Sequence, residues 1–159
     1  MKTKHQSIVG LAQAKTAELA DSLNTLLASY AVHYQNLRGF HWNISGPGFF
    51  ELHVKFEELY TTANASIDAI AERVLTLEQR PLHTYESFLE RSHIQPSKDV
   101  STANDTVSAT VEGIQALLHL ERALLELAGK SGDEGTAALM SDYIKEQEKT
   151  LWMLRAYLA

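Results

Sequence analysis

The stretch that decides the fold is residues 49–77, FFELHVKFEELYTTANASIDAIAERVLTL. Apolar side chains recur in it every three or four residues, at Leu52, Phe56, Leu59, Tyr60, Ile67, Ile70, Val74 and Leu77. This spacing puts them on one face of an α-helix, so the stretch predicts a single long helix. A turn cluster at Asn43–Gly48 precedes it and Pro81 follows it, and both limit its length.

Three other segments have the same periodicity: Ser7 to about Leu37, Ser101 to about Gly129, and Asp133 to Leu158. Each predicts a long helix. Gly39 is expected to loosen the end of the helix that starts near Ser7, and Gly129 is expected to end the helix that starts near Ser101. No alternation of period two is long enough to predict a sheet.

The connection from Leu77 to Ser101 is long enough to carry the chain from one end of a bundle to the other. Thr84 to Arg91 within it predicts a short helix with Thr84 as its cap. Four long helices with one crossover predict an all-α, ferritin-like four-helix bundle with a short extra helix between helices 2 and 3. At this length we expect one domain over 1–159, with 1–6 as a short basic tail.

The composition excludes several classes of site. The chain has no cysteine, which rules out disulfides, iron–sulfur clusters and thiolate zinc sites, so a metal must be held by His, Asp or Glu. Lys and Arg number 14 against 20 Asp and Glu, and the net charge of −6 disfavours a surface that binds duplex DNA over the whole body. No apolar run is long enough to span a membrane and no signal peptide is recognisable, so the expected compartment is the cytoplasm.

A row of polar side chains, called the polar stripe, lies along one face of the helix predicted for residues 49–77. His53, Glu57, Asp68 and Glu72 fall within about 100° of one another around the helix axis. Imidazoles and carboxylates that face one way suit a first-row metal such as iron or zinc. The alternative is that the stripe is only the solvated face, since the same helix carries other charged residues on its remaining sides.

Distance along the helix limits how the stripe can bind a metal. Glu57 and Asp68 lie about 16 Å apart along one straight helix, so one ion cannot bridge them. Two antiparallel copies around a twofold axis near positions 62 and 63 would bring Glu57 opposite Asp68, and His53 opposite Glu72. The residues at that axis, 61–66, are small, as a close crossing requires. The pattern therefore suggests a symmetric dimer with two shared sites.

His41 follows the first helix and could add a nitrogen ligand to the half of the site that holds His53 and Glu57. The alternative is a surface residue or a helix cap. Spacing alone does not decide between these two interpretations.

Several motifs spread over most of the chain form a combined pattern: Phe40-His41-Trp42-Asn43, Gly46, Phe49-Phe50-Glu51-Leu52-His53, Phe56-Glu57-Glu58-Leu59-Tyr60, Asp68-Ala-Ile-Ala-Glu72-Arg73 and Leu151-Trp152-Met153. Together they resemble the Dps family, the miniferritins or DNA-binding proteins from starved cells. The resemblance implies a shell of twelve subunits with di-iron ferroxidase sites at its twofold interfaces.

The resemblance also implies a ligand set. By position, His41, His53 and Glu57 come from one subunit, and Asp68 and Glu72 come from its neighbour. The sequence departs from the common pattern at Glu57, where many members have Asp. Glu keeps the charge and adds one methylene, so we expect it still to be a ligand.

The implied activity is iron storage and detoxification by oxidation of Fe(II), with hydrogen peroxide as the favoured oxidant and zinc as a possible substitute metal. The ferric product would mineralise inside the hollow dodecamer. Trp42, next to His41, is placed to donate an electron to an escaping oxidant, or else it packs at the interface.

DNA compaction is the alternative function, with DNA as a partner of the basic N-terminus and a vestigial or zinc-occupied metal site. Residues 1–17 contain Lys2, Lys4 and Lys15 and no acid. Twelve copies would multiply this weak patch. The free tail is very short if the first helix begins near Ser7. A plain helical bundle that binds protein partners is a third possibility.

Other candidates have simpler explanations. Glu90 and His93 have the Glu-x-x-His spacing of metal sites inside one bundle, but no second such motif exists, so we interpret them as surface residues. Four further histidines lack a partner at metal spacing and are expected at the surface or in packing: His5, His33, His83 and His119. Trp152 is expected in the core.

Iron entry in this family uses acidic pores near the turn before the last helix. Asp133 matches that position, with Glu134 beside it. Ala138 stands where an acid is common, and Asp142 is one turn further on.

Overall fold

The computed structural model describes residues 6–159 and contains five helices. They are α1 (Gln13–Asn43), α2 (Phe49–Thr76), α3 (Tyr85–Arg91), α4 (Ala103–Ser131) and α5 (Glu134–Leu158). Apart from one isolated bridge between Gln6 and Ala12, the described residues form no β-structure. The predicted four-helix bundle with a short fifth helix in the crossover is confirmed.

The long helices pack as two antiparallel pairs, α1 with α2 and α4 with α5, and α1 joins the pairs by packing against α4. The apolar rows read from the sequence fill the centre; Leu19, Leu23, Phe56, Ile70 and Val74 are fully buried. Burying each such side chain contributes roughly 1.5–3 kcal/mol.

The first helix begins later and ends later than the periodicity predicts. Residues 7–11 form a turn in which the Ser7 amide donates to the Leu11 carbonyl at 2.8 Å, and Gly10 adopts a φ of +82°. The spacing of Ile8 and Leu11 therefore belongs to a turn. At the other end α1 continues through Gly39 to Asn43, so His41 lies inside its last turn. Lys2, Lys4 and His5 lie outside the described residues.

Capping residues set the remaining helix bounds. Thr84 caps α3 as predicted, since its side chain accepts a hydrogen bond from the Ser87 amide. The prediction that Gly129 ends α4 is wrong. The helix continues to Ser131, and Gly132, with a φ of +69°, ends it. Asp133 caps α5 by accepting from the Thr136 amide, and α5 begins at Glu134, as the periodicity indicates.

The crossover runs along α1 and is held there by two asparagine side chains. The Asn24 amide donates to the Arg80 carbonyl at 3.1 Å and accepts from the Leu82 amide at 2.9 Å. Asn36 does the same for the Gln95 carbonyl and the Ser97 amide, at 2.9 and 2.8 Å. The crossover thereby spans about 18 Å of α1, as its predicted role requires.

Two expectations about the last helix need correction. Trp152 is 68% exposed and is not in the core, because the inward row of α5 runs through its neighbours Leu151 and Leu154. Asp133 is buried; besides its cap it forms an ion pair with Arg73 at 2.6 Å. Its carboxylate is therefore used within the chain, while Glu134 and Asp142 are exposed. Within residues 6–159 no helix is long and apolar enough to cross a membrane.

Candidate metal centre

His53 of the polar stripe and His41 of α1 form reciprocal contacts with each other's backbone. His41 Nδ1 lies 2.7 Å from the His53 carbonyl oxygen, and His53 Nδ1 lies 2.8 Å from the His41 carbonyl oxygen. The rings stack with centroids 3.8 Å apart and planes 16° from parallel. This reciprocal contact ties the last turn of α1 to the second turn of α2.

The contact fixes the tautomer of both rings. A carbonyl oxygen can only accept a hydrogen bond, so each Nδ1 must carry the proton and donate it. When a ring with this hydrogen bond is neutral, its Nε2 keeps the lone pair with which imidazole binds a metal. A backbone carbonyl on the far nitrogen is the usual support of a histidine ligand.

Aromatic rings fix the orientation of the pair. Phe49 stacks on His53 at 5.2 Å and 18°, so His53 lies between two parallel rings. Tyr60, two turns along α2, meets His41 edge to face at 5.4 Å. These contacts leave each imidazole little freedom to rotate, which favours metal binding because less ordering is needed.

The carboxylates of the stripe do not join this pair within one chain. Glu57 lies one turn beyond His53, and Glu57, Asp68 and Glu72 are all exposed. Glu72 is 19 residues from His53, about 28 Å along the helix. Within residues 6–159, no three His, Asp or Glu side chains form a group that could hold a metal ion. The chain thus brings His41 and His53 together, does not group Glu57 with them although it lies one turn along α2, and separates them from Asp68 and Glu72.

Trp42 lies at the edge of the same region. It is 58% exposed, and the Arg38 guanidinium lies over its ring at 4.7 Å from the centroid. A cation over an aromatic face is a favourable contact. Trp42 is thus an accessible ring one residue away from a candidate ligand.

The lesser candidates lie where the sequence interpretation puts them. Glu90, His93, His83 and His119 are exposed. His33 is buried, and burial lowers its pKa to about 4, so the ring is neutral. It packs against Gly113 so closely that a Cβ there would lie 2.5 Å from His33 Nδ1.

Sequence reasoning missed Glu121, a glutamate of α4 that is fully buried in the bundle. Its Oε1 accepts hydrogen bonds from the Tyr30 hydroxyl at 2.8 Å and from Gln147 Nε2 at 2.7 Å. Burial raises the pKa of this carboxyl to about 7. The signal was available, because Glu121 lies at helical spacing between Leu117 and Leu124 on the apolar face.

Known proteins resemble the chain over nearly its whole length. A family model described as a ferritin-like domain matches residues 20–159. A Haemophilus influenzae protein of uncharacterised function is 51% identical over 93% of this chain and 92% of its own length. A DNA protection during starvation protein from Porphyromonas gingivalis is 38% identical over 94% of each chain.

Solved structures give the same result. The Dps protein of Vibrio cholerae O1, described as a member of a broad superfamily of ferritin-like diiron-carboxylate proteins, superposes with a TM-score of 0.97 at 48% identity, over 100% of each chain. A Dps protein from Bacillus brevis superposes with a TM-score of 0.89 at 37% identity, over 92% of this chain and 98% of its own.

Proposed function

Since the chain belongs to the Dps family of ferritin-like proteins, we propose that it oxidises Fe(II) at sites that two subunits complete together, and that it stores the ferric product. At family level its role is iron storage and protection under stress. The oxidant, the shared site and the shell are parts of the proposal.

The observation that carries the proposal is the pair of free Nε2 atoms on His41 and His53, held by reciprocal hydrogen bonds without a full ligand set beside them. We propose that these two oriented imidazoles, together with Glu57 one turn further along α2, make up half of a metal site. The missing half is present on every chain as Asp68 and Glu72, which are exposed on the same helix. A second copy therefore supplies what the first lacks.

The donor set suits iron in both oxidation states. Imidazole nitrogen is a borderline ligand suited to Fe(II), and carboxylate oxygen is a hard ligand suited to Fe(III). Zinc accepts the same donors and would compete for the site. Glu57 reaches further than the Asp common at this position, and we propose that it remains a ligand.

The proposed reaction uses two Fe(II) ions as substrates together with one peroxide. Each iron gives one electron, two protons are taken up, the O–O bond breaks, and the products are two Fe(III) and two water molecules. Paired irons avoid the one-electron cleavage that releases hydroxyl radical. Trp42, exposed beside His41, is proposed to give an electron to any oxidant that escapes.

A subunit-mixing experiment tests whether the sites are shared. His53→Ala alone and Asp68→Ala alone should each abolish rapid ferric absorbance when peroxide follows anaerobic Fe(II). If the two variants are unfolded, mixed and reassembled, each mixed pair should regain one intact site of two, which gives about a quarter of wild-type sites. A mixture that stays inactive while the wild type survives the same treatment would place the site within one chain.

The assembled state is part of the same test. We propose a dodecamer, as the resemblance implies, and light scattering of the wild type should give the mass of twelve chains. A stable monomer would contradict the shared site directly. Residence in the cytoplasm stays a prediction.

DNA compaction is kept as a second function because four relatives are named DNA protection during starvation proteins. Of the basic residues near the N-terminus, Lys15 is exposed in the first turn of α1, while Lys2 and Lys4 lie outside the described residues. A gel shift at low and moderate salt decides: binding that fades with salt supports this function, and no shift at low salt removes it.

A further inference from the structure

Two large apolar side chains are exposed on the face of α2 that carries the polar stripe. Phe50 is 82% exposed and Leu75 is 56% exposed. At about 100° per residue, Leu75 falls on the same side of the helix as Glu57, and Phe50 lies about 20° from it. Single exposed apolar residues are common on protein surfaces. Here, however, both lie at the centre of the face that carries the candidate metal ligands, one near each end of the helix.

The positions of the two residues match the register of the proposed dimer. Around the twofold axis near positions 62 and 63, Phe50 and Leu75 are equally far from the axis on opposite sides, about 19 Å along the helix. An antiparallel copy therefore brings its Leu75 opposite Phe50. This contact lies one turn beyond the place where Glu72 of the copy meets His53. The register that pairs the ligands thus also pairs the two exposed apolar residues.

Phe50 is connected to the candidate ligands through aromatic rings. Its ring meets Phe49 edge to face, with centroids 5.3 Å apart and planes at 79°. Phe49 in turn stacks on His53, with centroids 5.2 Å apart. A side chain that packs on Phe50 therefore restrains the ring that orients His53.

The surface that covers these residues must be apolar at both ends of α2. Phe50 and Leu75 cannot cover each other within one chain, because they lie about 37 Å apart along the helix. A second copy of α2 meets the requirement, since a twofold axis repeats the same contact at both ends.

We propose that Phe50 of one subunit packs on Leu75 of the partner subunit at both ends of the α2 pair. The contact covers the end of each shared site that is furthest from the axis, and it holds His53 towards the carboxylates of the partner subunit. The inference rests on the shared site of the proposed function and adds the apolar contact that closes it. Phe50 and Leu75 are positioning residues, because neither side chain has an atom that binds a metal.

Crosslinking tests the pairing directly, because the chain has no cysteine. Phe50→Cys, Leu75→Cys and the double variant are treated, as assembled proteins, with bismaleimidoethane and separated on a denaturing gel. The double variant should convert most chains to a covalent dimer. Each single variant should give none, because either residue lies about 37 Å from its own copy across the axis. A twofold contact stops at dimers, whereas contact between unlike faces gives a ladder of larger products.

Oxidation of Fe(II) by peroxide tests whether the contact positions the ligands. Leu75 lies about 33 Å along the helix from His53 of its own chain, so it can act only on the site of the partner subunit. Leu75→Ala should lower the initial rate at least about fivefold, because small displacements of a reacting group are costly. Leu75→Met keeps a long apolar side chain and should retain the rate. Leu89→Ala, on α3 and also 56% exposed in the wild type, is the matched control and should oxidise iron normally.

The outcomes separate this contact from the shared site itself. The contact is overturned if the double variant gives no covalent dimer, if the single variants give as much, or if larger products form a ladder. An unchanged rate in Leu75→Ala overturns its positioning role. Failure of the proposed function has a different signature, a monomeric wild type or no recovery of activity when His53→Ala and Asp68→Ala subunits are mixed. Recovery of activity without a covalent dimer in the double variant removes only the Phe50–Leu75 contact.

Discussion

Two regions of the molecule keep polar side chains among packed helices, and they differ in which atoms they leave free. In the His41–His53 pair each Nδ1 lies against a carbonyl oxygen, and the described residues group no third metal ligand with the two rings. In the Glu121 layer, which comprises Glu121, Tyr30 and Gln147, the atoms that the described residues leave free are oxygens inside the bundle. The histidine pair therefore leaves ring nitrogens free in a half-buried position, whereas the Glu121 layer leaves oxygens unpaired inside the bundle.

The largest effect is expected from His53→Ala in the first region. It removes one proposed ligand and the donor that holds the His41 carbonyl, so the initial rate of Fe(II) oxidation by peroxide should fall at least about a hundredfold. Stopped-flow ferric absorbance measures it. His93→Ala, at an exposed position outside the helices, is the control and should keep the wild-type rate. Equal rates for all three proteins would refute the site.

Glu121→Gln tests the second region through stability. The pKa of Glu121 is raised from 4.5 to about 7 in the folded protein. The protonated carboxyl therefore stabilises the fold relative to the ionised one. This contribution is complete below pH 4.5 and is lost as the pH rises to 7. The loss is about 3 kcal/mol. Between pH 5 and pH 8 the urea midpoint of the wild type should therefore fall relative to that of the variant. Parallel curves would contradict a buried, costly carboxylate.

His33 should show the opposite dependence. Its folded pKa is lowered from 6.5 to about 4, so its contribution is complete above pH 6.5 and is lost as the pH falls to 4, by roughly 3 kcal/mol. The difference in urea midpoint between wild type and His33→Gln should shrink over this range. Between about pH 4.5 and 6.5 the effects of His33 and Glu121 oppose each other and should nearly cancel.

Gly113→Ala should have a smaller effect on the same part of the bundle. The added Cβ would lie 2.5 Å from His33 Nδ1, so the ring must shift, and overpacking of this kind costs about 1–3 kcal/mol. Thermal denaturation measures the loss. Gly129→Ala is the control, because nothing lies within 4 Å of a Cβ there. Iron oxidation should be unchanged in both, which separates the two regions.

The sequence predicts most of the fold because helical spacing reflects burial directly. The rows through Phe56 and Ile70 are buried as the periodicity requires, and the cap at Thr84 is where its side-chain chemistry puts it. The start of α1 could not be read in this way, since a turn at Gly10 also accommodates apolar residues three apart. Trp152 shows a related limit, because a large apolar residue need not lie on the inward row.

The candidate site is predictable only in part. Spacing and resemblance bring His53, Glu57, Asp68 and Glu72 to attention, but the reciprocal contact with His41 depends on how α1 and α2 meet across a turn. Glu121 was missed for a different reason. A charged residue within an apolar row indicates burial, but spacing alone does not identify its partners, Tyr30 and Gln147, which come from distant parts of the chain.

The two asparagines that hold the crossover have a consequence for dynamics. The Leu82 and Ser97 amides donate to Asn24 and Asn36, although both amides belong to irregular chain and would otherwise face water. Their protons can exchange with solvent only when the crossover separates from α1. Hydrogen exchange at these two positions therefore measures how often the crossover separates from α1. Two loop amides thus report on the opening of the contact between the crossover and the helix.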